Sequence, residues 1–139
     1  MHPRRRLVVV ACMDSRMDIF SMLGLEVGDA HVIRNAGGLV VDDVIRSICL
    51  SQRVLGTREI VLIHHTNCGL EGISDDEFSR SLEDETGFVP SWQVGGFADA
   101  ATDVRRAIRS LRDSPFIPHR DQISGFVFDV ETGRLEPVA

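Results

Sequence analysis

The sequence contains no lysine and no tyrosine, so all 15 of its basic residues are arginine. We attribute the absence of lysine to coding bias, because by itself it excludes no class of function. Cysteine is also scarce, with three residues in a chain of 139. Three is an odd number and too few for a disulfide scaffold, so we expect a protein of a reducing compartment, the cytoplasm.

Long apolar runs and an excess of positive charge are missing as well. No stretch approaches the roughly 20 apolar residues of a membrane span. The basic residues 1–6 and the apolar run 7–13 superficially resemble a signal peptide, but residues 14–16 (Asp-Ser-Arg) end that run with charge rather than with a cleavage site. The net charge of −6 argues against nucleic acid as the main partner. We therefore expect neither a membrane nor a nucleic-acid partner.

The apolar residues that are present form short runs that predict strands. A chain of 139 residues has about the length of one ordinary domain, and we treat residues 1–139 as one. Short apolar runs without polar alternation are typical of strands buried on both faces of a parallel sheet. The predicted strands are residues 7–12, 31–35, 59–65 and 125–130. A turn signal at 131–134 predicts a hairpin into a further strand at 135–138.

Helical patterns alternate with these runs. In residues 40–55, apolar side chains recur at spacings of three and four, interrupted only by Gln52. Ser74 and Glu77 have capping-box spacing, which predicts a helix that ends before Gly87. Residues 17–23 and 98–111 are the other two predicted helices. The alternation predicts an α/β fold: a mainly parallel central sheet of about four strands flanked by helices, with a candidate antiparallel edge hairpin at the C-terminus.

Potential metal ligands follow two of the predicted strands. Ligands gather at the carboxyl ends of the strands in such sheets. Cys12 ends the first strand, and His65 and Cys68 end the third. Two thiolates and an imidazole suit Zn²⁺, and three protein ligands leave a fourth position for water. Asp14 lies near enough to reach the same metal or its water, and Arg16 can hold that carboxylate in a bidentate pair.

Less specific interpretations of the same residues stay open at this point. A structural histidine beside a buried thiol also gives the pattern His-x-x-Cys. A redox disulfide is disfavoured, because there is no Cys-x-x-Cys and Cys12 lies on a different strand. Gly37, Gly38 and Gly69 are typical of tight turns, or else they let backbone N–H groups approach an anionic ligand. We take only Gly69, beside Cys68, as a candidate substrate-binding residue.

Residues 12–16 (Cys-Met-Asp-Ser-Arg) and 65–69 (His-Thr-Asn-Cys-Gly) together resemble the paired motifs of the β-class carbonic anhydrases. Residues 31–38 are similar to the segment that connects those motifs in the family, and the strand at 125–130 also resembles the family. The resemblance implies one Zn²⁺ per subunit, bound by Cys12, His65 and Cys68. It also implies that zinc-bound hydroxide attacks CO2 to give bicarbonate and a proton. A catalytic dyad of Asp14 and Arg16 would orient that hydroxide.

The family also implies a switch at the metal and an assembly. In some members the aspartate becomes the fourth zinc ligand and releases its arginine partner, so we expect Asp14 to be capable of this. Family members pair with their active sites near the subunit boundary. We therefore expect a homodimer or higher homo-oligomer, in which the loop after Gly69 or the segment 88–97 lines the neighbour's pocket.

The chain departs from the family pattern at its start. Typical members carry N-terminal helices that embrace a partner subunit, whereas six residues precede Leu7 here, so we expect the N-terminal helical arm to be absent. The upstream glutamine through which plant-type members contact substrate has no equivalent position.

Two further functions fit the same motifs. One is hydrolysis of a CO2-like substrate, carbonyl sulfide or carbon disulfide, since relatives with the same zinc motif do this. The other is a non-catalytic zinc-binding or anion-binding protein. Pocket width and polarity would separate these functions, and the motifs give neither.

Overall fold

The apolar runs of the sequence form one five-stranded sheet in the computed structural model, which describes residues 1–139. The strands are β1 (Leu7–Cys12), β2 (Ala30–Asn35), β3 (Glu59–His65), β4 (Ile123–Phe128) and β5 (Leu135–Val138). Their spatial order is β2-β1-β3-β4-β5, and every pair is parallel except β4 with β5. The predicted mainly parallel sheet is confirmed, and its edge hairpin is the antiparallel pair β4–β5.

Four α-helices lie between the strands. They are α1 (Ile19–Leu23), α2 (Asp42–Arg53), α3 (Asp75–Thr86) and α4 (Ala100–Asp113). The hydroxyl of Ser74 accepts a hydrogen bond from the backbone N–H of Glu77, which starts α3 at the predicted cap. The carboxylate of Asp99 accepts from the N–H of Thr102 in the same way. Because Asp99 is this cap, α4 begins two residues later than the predicted 98–111, and it ends two residues later as well, at Asp113. No helix combines the length and the apolar character needed to cross a membrane.

The two central strands bury alternate side chains on opposite faces of the sheet. Even-numbered residues of β1 and β3 pack against α2 and α4, in a cluster that includes Val8, Val10, Ile60, Leu62, Ile48, Val104 and Leu111. Odd-numbered residues of the same strands pack against α1 and neighbouring loops, in a cluster that includes Val9, Ala11, Val61, Ile63, Ile19, Leu39 and Leu70. This alternation directs the consecutive side chains of His64 and His65 to opposite faces.

A single 3-10 turn, Ala36–Gly38, presses against the carboxyl end of β1. Gly38 has a φ of 64°, in the left-handed region. A Cβ at this position would lie 2.8 Å from the backbone N of Cys12 and 2.9 Å from the carbonyl carbon of Ala11. Glycine is therefore required here both by the backbone conformation and by the close approach of β1.

We expect Gly38→Ala to lower the free energy of unfolding by more than Gly133→Ala does. Both positions have a left-handed φ, which costs a non-glycine residue about 1–2 kcal/mol. The Cβ of alanine at 133 would meet nothing within 4 Å, whereas the Cβ at 38 would meet the backbone of β1. Urea denaturation of the two variants measures the difference, and equal losses would contradict the close approach.

Candidate metal centre

Cys12, His65 and Cys68 meet at the carboxyl end of the two central strands. Cys12 is the last residue of β1, His65 is the last residue of β3, and Cys68 lies in the turn that follows. Because β1 and β3 are adjacent and parallel, with Ala11 opposite Ile63, their ends lie side by side. The two Sγ atoms and an imidazole nitrogen all lie within 4.8 Å of one another, the three residues are buried, and both cysteines are free. The structure thus brings together the three ligands predicted from the sequence.

The turn after β3 returns Cys68 toward Cys12. Asn67 has a φ of 53°, a left-handed conformation that asparagine tolerates better than most residues. Its carbonyl oxygen accepts a hydrogen bond of 2.9 Å from the guanidinium of Arg16. The conformation of this turn is therefore held by a residue from the loop after β1.

The hydrogen bonds of His65 leave one ring nitrogen free for a metal. Nδ1 lies 2.7 Å from the carbonyl oxygen of Thr66, and since a carbonyl only accepts, Nδ1 carries the proton. Nε2 is buried and has no hydrogen-bond partner, and it lies 3.7 Å from Oδ2 of Asp14. Metal-ligating histidines commonly donate their other ring N–H to a carbonyl in this way. This buried, unpartnered acceptor beside two thiols fits a divalent metal that prefers nitrogen and sulfur ligands.

The two thiols differ in how readily they ionise. For Cys12, burial opposes ionisation, but the His65 ring, when it is protonated, and the backbone N–H groups of Asp14 and Gly37 favour it and lower the pKa to about 7. Burial raises the pKa of Cys68, and the negative charge of the Cys12 thiolate raises it further. Since thiolates are the ligands, Cys68 would release its proton as the metal binds.

Asp14 and Arg16 form the predicted bidentate pair. Nε of Arg16 donates to Oδ1 at 2.9 Å and its NH2 group donates to Oδ2 at 2.8 Å. The backbone N–H of Arg16 also donates to Oδ1, at 2.8 Å. These hydrogen bonds from Arg16 hold the pKa of the Asp14 carboxyl well below its usual range. The structure shows Asp14 bound to Arg16, and its role as a fourth metal ligand stays a prediction.

Arg34 supports the centre and was not predicted from the sequence. Its Nε donates to the carbonyl oxygen of Cys12 at 2.9 Å, and its NH2 group donates to the carbonyl oxygen of Asp14 at 2.7 Å. Arg34 thereby fixes the backbone that carries both side chains. The only signal in the sequence is a charged residue near the end of β2, because backbone carbonyl partners leave no motif.

His64 and Gly69 are two other residues close in sequence to the metal ligands. His64 points to the opposite face of the sheet, where its Nε2 lies 2.7 Å from Oδ2 of Asp103 in α4. Gly69 has no left-handed φ, and a Cβ there would meet nothing within 4 Å. Gly69 is exposed, and neither conformation nor packing explains why the residue is glycine.

Comparison with known proteins places this centre in a family. The family model described as carbonic anhydrase matches residues 7–94. The chain is 51% identical over 138 residues to "Beta-carbonic anhydrase 1" of Mycobacterium tuberculosis, covering 99% of this chain and 85% of that protein. The chain belongs to the β-carbonic anhydrase family. A solved carbonic anhydrase from Streptococcus mutans superposes with a TM-score of 0.93 at 44% identity, covering 99% of this chain and 84% of that one.

The family relatives also include a second activity. A "Carbon disulfide hydrolase" of Acidithiobacillus thiooxidans is 38% identical, over 96% of this chain and 77% of that protein. Both kinds of relative align along nearly the whole of this chain. Membership of the family therefore does not separate the two substrates.

We expect Arg34→Gln to weaken metal binding at the centre by about 10-fold, the lower end of the effect of losing a partner that orients metal ligands. The glutamine is too short to reach both carbonyl groups, so the backbone from Cys12 to Asp14 becomes less constrained. Competition with a chromophoric chelator measures the zinc affinity of the purified variant. Arg109→Gln, which removes the same charge from the exposed side of α4, is the control and should bind zinc as the unmodified protein does. Equal affinities for the two variants would contradict the supporting role of Arg34.

Proposed function

We propose that this protein is a zinc-dependent carbonic anhydrase that catalyses the reversible hydration of CO2 to bicarbonate and a proton. The observation that carries the proposal is the group Cys12, His65 and Cys68, whose ligand atoms all lie within 4.8 Å, in a chain of the β-carbonic anhydrase family. Two thiolates and one imidazole are a ligand set that Zn²⁺ favours, and three protein ligands leave one position for water.

The residues of the chain would each have a defined part in that reaction. When bound, Zn²⁺ lowers the pKa of a coordinated water from 15.7 to about 7, which supplies a nucleophile near neutral pH. Asp14, kept ionised by Arg16, would accept a hydrogen bond from the attacking O–H group and so turn an oxygen lone pair toward the carbon of CO2. The bidentate pairing with Arg16 keeps that carboxylate in one orientation. The proton leaves to solvent or buffer.

Gly69 is the proposed contact for the substrate. It adjoins Cys68, and the space that a Cβ would occupy is open. The absence of a side chain would leave room for a small linear molecule, a property that CO2 shares with carbonyl sulfide and carbon disulfide.

Hydrolysis of carbon disulfide or carbonyl sulfide is the second candidate function. The specific support is the "Carbon disulfide hydrolase" relative, which is 38% identical to this chain. The first candidate is favoured because the chain is 51% identical to "Beta-carbonic anhydrase 1". A zinc-binding or anion-binding protein without turnover is the remaining alternative.

We expect the zinc-loaded protein to hydrate CO2 at alkaline pH well above the rate in buffer, and Cys68→Ser to abolish that rate through loss of zinc. Stopped-flow measurement with a pH indicator tests the rate, and metal analysis tests the zinc content. Cys49→Ser is the matched control, because Cys49 lies in α2 outside the ligand group and its loss should leave the rate unchanged. Release of hydrogen sulfide from carbon disulfide is measured on the same preparations.

The outcomes separate the candidate functions. CO2 hydration that is lost only in Cys68→Ser supports the carbonic anhydrase. Hydrogen sulfide release without CO2 hydration would support the second candidate. Bound zinc without either reaction would support the binding protein.

We also propose that the functional form is a homodimer or higher homo-oligomer in the cytoplasm. Phe88, Val89 and Trp92 are exposed by 78%, 64% and 59%, and they lie close together in the segment predicted to line a neighbouring subunit. An exposed group of large apolar side chains is typical of an interaction surface. The free thiols support a reducing compartment.

We expect Trp92→Arg to shift the protein toward the monomer in sedimentation velocity, because it places a charge in the proposed contact. Phe116→Arg alters another exposed aromatic residue, outside the segment, and should leave the sedimentation coefficient unchanged. A monomer in the unmodified protein would contradict the proposed assembly.

A further inference from the structure

A polar cavity lies at the end of the sheet opposite the metal centre. Its volume is about 290 Å³, and it is lined by seven residues, none of them hydrophobic or acidic. Four of them are basic: His2, Arg6, Arg58 and His119. Arg6 directly precedes β1 and Arg58 directly precedes β3, so the length of each strand, about 20 Å, separates the cavity from the ligand group.

The guanidinium groups of this cavity have no partner in the chain. Arg4 and Arg5, next to Arg6, both form ion pairs with Asp29, whereas the side chains of Arg6 and Arg58 form no hydrogen bond or ion pair. The chain has 21 acidic residues, so carboxylates are plentiful, yet none lines this cavity. Two unpaired guanidinium groups make a local concentration of positive charge in a protein of net charge −6.

The backbone brings the two arginines together. The carbonyl oxygen of Arg6 accepts hydrogen bonds from the backbone N–H groups of Arg58, at 2.8 Å, and Glu59, at 3.2 Å. The arginines therefore emerge side by side from the start of adjacent strands. An anion between their side chains would attract both guanidinium groups.

The floor of the cavity is rigid. Gln52, the polar exception in the apolar pattern of α2, donates to the backbone carbonyl of His119 at 3.0 Å and accepts from its backbone N–H at 2.9 Å. This reciprocal pair fixes the loop before β4 against α2. Thr57 is fully buried, and its hydroxyl lies 2.6 Å from that of Ser51. The backbone around the basic side chains is therefore held in place before any ligand binds.

We propose that this cavity binds a tetrahedral oxyanion, either inorganic phosphate or the phosphate group of a small phosphomonoester. Guanidinium groups recognise phosphate oxygens through paired N–H donors, and here donors approach from the N-terminal segment, the start of β3 and the loop before β4. The volume of about 290 Å³ lies at the lower end for small-molecule sites, which suits a small anion. A doubly charged tetrahedral ion matches several donors from different directions better than a planar monoanion such as bicarbonate does.

The test is titration of the zinc-loaded protein with inorganic phosphate, followed by calorimetry and by the backbone amide signals of an NMR spectrum. We expect binding at one site per chain, with the largest shifts at Thr57, Arg58 and His119. Arg6→Gln and Arg58→Gln should each weaken binding about 10-fold or more, the effect of losing a charge-assisted hydrogen bond. Arg109→Gln, an equal charge change at an exposed arginine of α4, should change the affinity less than 2-fold, about the scale of a surface substitution.

Parallel titrations with glycerol 3-phosphate, sulfate and bicarbonate define the ligand. Tighter binding of glycerol 3-phosphate than of phosphate supports the proposal and identifies an ester as the ligand class, and the reverse supports it and identifies the free ion. Bicarbonate binding as tightly as phosphate would overturn the tetrahedral assignment. Shifts confined to residues around Cys12, His65 and Cys68, or equal weakening in Arg58→Gln and Arg109→Gln, would overturn the site itself. Circular dichroism of each variant verifies that the fold is kept.

Discussion

The parallel pairing of β1 with β3 is the constraint on which the rest of the structure depends. It places Leu7 opposite Glu59 and Ala11 opposite Ile63, so the two strands begin together and end together. At their carboxyl ends this brings a thiol and an imidazole within reach of one metal ion. At their amino ends it brings the backbones of two arginines, Arg6 and Arg58, next to each other. A slip of one residue between these strands would separate both groups and would turn His65 toward the wrong face of the sheet.

Much of this arrangement could be predicted from local patterns in the sequence. The unbroken apolar runs indicate strands buried on both faces, and the rule that ligands gather at carboxyl ends selects Cys12, His65 and Cys68. The prediction of the start of β4 is less accurate, because the predicted strand begins at Gly125 whereas the strand in the structure begins at Ile123. Gly125 lies inside β4, and glycine is required there because a Cβ would collide with the side chains of Val104 and Ile108 in α4. From the sequence alone, a glycine that is required for close packing of a helix on the sheet cannot be distinguished from a glycine that marks the start of a strand.

The features that escaped prediction depend on contacts between distant segments. Arg34 bonds to carbonyl groups 20 and 22 residues away, and Gln52 bonds to a loop 67 residues away. Such partners leave no spacing in the sequence. Gln52 can be noticed indirectly, as a polar residue at a position where the pattern of α2 predicts an apolar one. It is buried, and both of its hydrogen bonds go to the backbone of His119.

The unpartnered Nε2 of His65 has a consequence for how long each molecule survives. A buried acceptor without a partner costs about 1–3 kcal/mol, and metal coordination would remove that cost. A metal that binds the folded chain but not the unfolded chain also stabilises the folded state by mass action. Unfolded chains are removed continuously by proteases in cells, so a shortage of the metal would reduce the abundance of the protein together with its occupancy. The supply of one ion would then set both the number of working sites and the lifetime of the chains that carry them.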